Sequence, residues 1–94
     1  MPELPQPKAE ITLIGRTVTR GHVTNDWGNR VHWKVMRDGV VVSTPEARVT
    51  TSYTHADATP GTYEIVLETW KHDGYRSGAL GSYIEISNRV SYRV

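Results

Sequence analysis

The chain has 94 residues, eleven Lys and Arg against ten Asp and Glu, a formal net charge of +1, and no cysteine. That length holds one domain around a single hydrophobic core. Near-neutral charge argues against a nucleic-acid or anionic-membrane surface, and the missing cysteine excludes disulfides, thiol catalysis and zinc ribbons.

No stretch approaches the roughly 20 apolar residues of a membrane span, and the first residues carry no signal-peptide core. Residues 1–8 read MPELPQPK. Three prolines remove backbone donors and fix φ, so this segment is expected as an extended arm. It would serve as a linker, dock on a neighbouring chain, or lie along an edge of its own domain, which spans residues 9–94.

From Glu10 onward the hydrophobic period is two. Ile11 and Leu13 alternate with Glu10 and Thr12. Val31, Trp33 and Val35 alternate with Arg30, His32, Lys34 and Met36, which predicts a half-buried strand. Arg37-Asp38-Gly39 predicts a hairpin turn, because Asp-Gly supplies the positive φ values a tight turn needs. Val40 to Ser43 returns as the partner strand. Val49, Thr51 and Tyr53 form a further alternating set. After the Thr59-Pro60-Gly61 turn, Tyr63, Ile65 and Leu67 take one face and Glu64, Val66 and Glu68 the other. Ile84 and Ile86, then Val90, Tyr92 and Val94, complete the pattern.

No window carries a sustained helical stripe, and no internal repeat is present. Seven to eight short strands separated by turns predict an all-β, immunoglobulin-like antiparallel β-sandwich without helices of note. Trp33 is expected at the centre of the core. Tyr63 stands where a tyrosine corner would be, and Ile65 takes the place that a cysteine fills in antibody domains.

Ser52-Tyr53-Thr54, followed by Thr59-Pro60-Gly61-Thr62-Tyr63-Glu64-Ile65-Val66-Leu67, resembles the second half of a polycystic-kidney-disease-type (PKD) domain. Trp33 and Arg37-Asp38-Gly39 fall at the places of that family's strand tryptophan and turn, with Arg37 replacing a glycine. The last strand is similar to those of bacterial and bacteriophage immunoglobulin-like modules. The resemblance spans about residues 31–94, and it departs between Trp70 and Asn88, where the connection is long. It implies a fold and a module type, either a decoration protein of a virion or similar assembly, or an adhesive or carbohydrate-binding module of a secreted bacterial protein.

Reactive constellations are absent from the sequence. There is no nucleophile elbow and no phosphate-cradling glycine loop before a helix. The four His, at 22, 32, 55 and 72, show no ligand spacing. Asn25, Asp26 and Asp73 would offer oxygen ligands to calcium, but no compact ligand loop is visible. Neither catalytic residues, nor a metal, nor a cofactor is expected. His32, Glu64 and Glu68 read as a solvated strand face. Arg30 with Lys34, and Arg89 with Arg93, read as charges that protect edge strands. Scattered basic residues offer no nucleic-acid footprint.

The aromatics point elsewhere. Trp27 sits in the polar run Asn25-Asp26-Trp27-Gly28-Asn29. Trp70 is out of phase with the inward set of its strand, and Tyr75 lies in the following loop. Loops at one end of a sandwich converge, so Trp27, Trp70 and Tyr75 are expected to form a contact site for a protein partner or a surface glycan. Asp26, Asn29, His72 and Asp73 would supply hydrogen bonds around the rings. A virion surface or an extracellular setting suits such a site.

Overall fold

Most of the period-two alternation becomes antiparallel strand, and no helix occurs among the described residues. The computed structural model describes residues 5–72 and 81–94. Eight strands among these residues build two antiparallel sheets that pack as a β-sandwich. The smaller sheet has the order β1 (Ile11–Ile14), β2 (Thr17–Arg20), β5 (Ser52–Thr54). The larger contains β4 (Val40–Ser43), β3 (Val31–Arg37), β6 (Thr62–His72), β7 (Gly81–Glu85) and β8 (Val90–Arg93). Strand β2 carries a single core side chain, Val18, which explains why alternation alone does not single it out.

Trp33 is fully buried and pairs in register with Leu67, while Val35 pairs with Ile65. These residues, with Val18 from the facing sheet, form one apolar cluster. Tyr63 is also fully buried, and its hydroxyl donates to the Thr59 carbonyl at 2.6 Å. Its ring stacks on Tyr92, centroids 5.0 Å apart. Asp38 and Gly39 adopt φ of 51° and 84°, the left-handed pair that a two-residue hairpin requires. Gly61 is needed for space as well, since a Cβ there would meet the Arg37 side chain at 2.9 Å.

Strand β6 is long enough to serve two partners. Its first residues, Thr62 to Ile65, pair with β8, and Glu68 to His72 pair with β7. Between those ladders the chain steps aside: Ile86 N–H donates to the Leu67 carbonyl, and Leu67 N–H donates to the Ser87 hydroxyl.

The described part of the proline arm, residues 5–8, lies along its own sandwich. Lys8 and Thr24 exchange backbone hydrogen bonds, Ala9 N–H donates to Ile86, and Pro7 is buried. The remaining expectation fails at Val49, which is 85% exposed. Its alternation with Thr51 and Tyr53 arises in a loop that β5 enters only at Ser52.

Candidate functional site

The β2–β3 loop is built by a local turn and one distant arginine. Asn25 and Gly28 take left-handed φ of 54° and 76°, and the Asp26 carboxylate accepts the Gly28 N–H at 2.8 Å. Arg48 then clamps the loop. Its guanidinium donates to both Asp26 oxygens, at 2.9 and 3.1 Å, and to the Asn29 carbonyl. The hydrogen bond from Arg48 holds the Asp26 carboxyl below its usual range. Asn29 in turn donates through Nδ2 to the Trp70 carbonyl at 2.9 Å.

This chain of bonds brings the Asp26 loop beside Trp70, as the topology of a sandwich end predicts. The rings themselves are not pooled. Trp27 is half-buried and its indole N–H donates to the Pro5 carbonyl at 3.2 Å, so the arm holds it. Trp70 contacts His72, Tyr83 and Arg30, and no ring contact joins it to Trp27 among the described residues. Tyr75 and Asp73 lie outside the described residues.

Around Trp70 a different arrangement emerges. Its indole N–H donates to His72 Nδ1 at 3.2 Å, and its ring meets Tyr83 edge-on with centroids 5.1 Å apart. The Arg30 guanidinium lies 4.6 Å from the Trp70 centroid. Tyr83 continues the ladder by stacking on His32 at 3.8 Å. His32 Nε2 shares a hydrogen bond with Glu68 Oε1 at 2.8 Å, and Lys34 Nζ reaches Glu68 at 2.9 Å and Glu85 at 3.4 Å. A band of rings and charges therefore crosses the outer face of the larger sheet.

The expectation of a solvated face is corrected here. The His32 and Glu68 side chains are only 12% and 8% exposed. Glu68 and Glu85 stand directly opposite in the β6–β7 register, an unfavourable like-charge pair that Lys34 bridges. Partial burial works to lower the Lys34 pKa, but bonds and charge from Glu68 and Glu85 outweigh it and raise the pKa above the usual lysine value. Arg89 pairs with Glu64 as well as Glu85, so Glu64 is not a free solvated carboxylate either. Its hydrogen bond holds the Glu85 carboxyl below the usual range.

The edge-strand reading of Arg30 and Lys34 is also corrected, because β3 pairs with β6 along its whole length while Pro45 and Ala47 bond Trp33 and Val31 on its other side. Alternation shows that these polar side chains share a face. It does not show that long neighbours cover them. Arg48 and Tyr83 escaped the sequence reading, since their partners lie many positions away.

Among the described residues no group of three or more His, Cys, Asp or Glu is placed to hold a metal ion. Among the described residues no helix is long and apolar enough to cross a membrane. Compared with protein-family models, curated proteins and solved structures, the chain matches none.

Proposed function

We propose that this chain is a non-catalytic, immunoglobulin-like module, akin to the PKD type, that serves as a structural or decoration component of a virion surface or similar extracellular assembly. It holds a protein partner by strand addition at β4. The observation that carries this reading is the exposure of Val40 (65%), Val41 (50%) and Val42 (38%) on a strand that ends the larger sheet. Uncharged β-branched side chains on an open edge invite a further strand, and soluble domains usually guard such edges with lysine or proline. The two-sheet strand order and the corner at Tyr63 support the immunoglobulin-like assignment.

The glycan-binding reading draws less support. Arg30 and Tyr83 occupy Trp70, and the arm engages Trp27, which leaves less free ring surface for a sugar. The test is Val41→Lys, which places a charge on the edge without touching the core. The native assembly formed with this variant should contain far less of the chain by quantitative mass spectrometry, with an unchanged thermal midpoint. Incorporation equal to the unaltered chain would overturn the reading.

A further inference from the structure

We infer that Arg30, seated on Trp70 and Tyr83, is a preorganised receptor for an Asp or Glu side chain of a protein partner. This rests on the reading of the chain as a protein-contact module and adds a second contact point, away from β4.

Three observations carry it. The Arg30 backbone is pinned: its carbonyl accepts both Trp70 N–H and Thr69 Oγ1–H at 2.9 Å. Its guanidinium carbon lies 4.6 Å from the Trp70 centroid and 5.9 Å from that of Tyr83, so two aromatic rings flank the group. No hydrogen bond or ion pair among the described residues engages its side-chain N–H donors, and a fork of that shape matches a carboxylate.

The third observation is charge. Lys34, Arg37, Arg48 and Arg89 each pair with a carboxylate, whereas Arg30 pairs with none among the described residues. The same end carries Arg20, whose donors go to the carbonyls of Gly21, Ala47 and Arg48, and the exposed Lys71. Neither has a carboxylate partner, so among the described residues Arg20, Arg30 and Lys71 are cations without a paired carboxylate. Tryptophan, tyrosine and arginine together are the residues that most often dominate binding energy at protein interfaces. Because contact with two rings already restricts the arginine, less freedom is lost on binding.

The probe is a capped hexaglutamate peptide titrated into the full chain, followed by NMR of the Trp70 indole and Arg30 Nε–H signals. Saturable shifts at Arg30, Trp70 and Tyr83 are expected. Arg30→Ala and Arg30→Lys should each weaken binding by about tenfold, since lysine keeps the charge but loses the fork. Circular dichroism of both variants should match the unaltered chain. Absent binding, or full affinity in Arg30→Lys, would overturn the proposal. So would tighter binding of an oligogalacturonate, which would make the partner an acidic glycan. Val41→Lys should leave this titration unchanged, so failure here and failure at β4 are read separately.

Discussion

The Asn88 side chain bonds both backbone groups of Ile11: Oδ1 accepts the Ile11 N–H at 2.9 Å and Nδ2 donates to its carbonyl at 3.0 Å. One amide thereby acts as a strand partner between the two sheets, where the chain steps aside between β7 and β8. Asn88→Ala leaves both Ile11 groups without this partner, at a cost of about 1–3 kcal/mol. A denaturation midpoint equal to that of the unaltered chain would show that the bridge contributes nothing.

Tyr63→Phe removes the bond to Thr59 while keeping the stacked ring. The expected loss is about 0.5–1.5 kcal/mol, the net worth of one such hydrogen bond. Chemical denaturation measures it, and an unchanged slope would indicate that only the corner is affected.

Trp33→Ala empties the centre of the core. Large-to-small changes of this kind cost about 3–5 kcal/mol, comparable with the whole stability of a small domain. Loss of the cooperative thermal transition is expected; a folded alanine variant of near-normal midpoint would contradict the placement.

These core positions were legible because Val31, Trp33 and Val35 repeat with the period of a pleated strand and the Pro60-Gly61 turn announces Tyr63. The outer face was not. His32, Lys34 and Glu68 alternate as solvent-facing residues do, and their burial depends on neighbours from β7 that no local pattern identifies. His55 hides for the same reason: it is 6% exposed, between Tyr53 and Tyr63, at the end of a strand of only three residues. The candidate site was half legible. Asp26 and Trp70 are brought to one end, but the clamp is Arg48, which is 22 positions from Asp26 and carries no motif.

Acid should loosen the turn after β4. The Glu46 pKa is lowered from 4.5 to about 2, first by a hydrogen bond from the Thr50 side chain, then by the Val49 N–H. A depressed carboxylate pKa stabilises the folded form above pH 4.5, and that contribution fades as pH falls towards 2. Carbon NMR should show Glu46 titrating near the lower value, with the Arg48, Val49 and Thr50 amides losing protection across that window. Titration at the ordinary value would contradict the bonding. Glu46→Gln should remove the step.

The proposed partner contact lies on the open edge of β4. Hydrogen exchange should be followed at the Val40, Val41 and Val42 amides, first in the isolated chain and then in the native assembly that contains it. Strand addition predicts that outward-facing amides on this edge exchange quickly in the isolated chain and become strongly protected in the assembly, while the polar edge of β5 changes little. Equal exchange along β4 in both states would contradict the proposed contact.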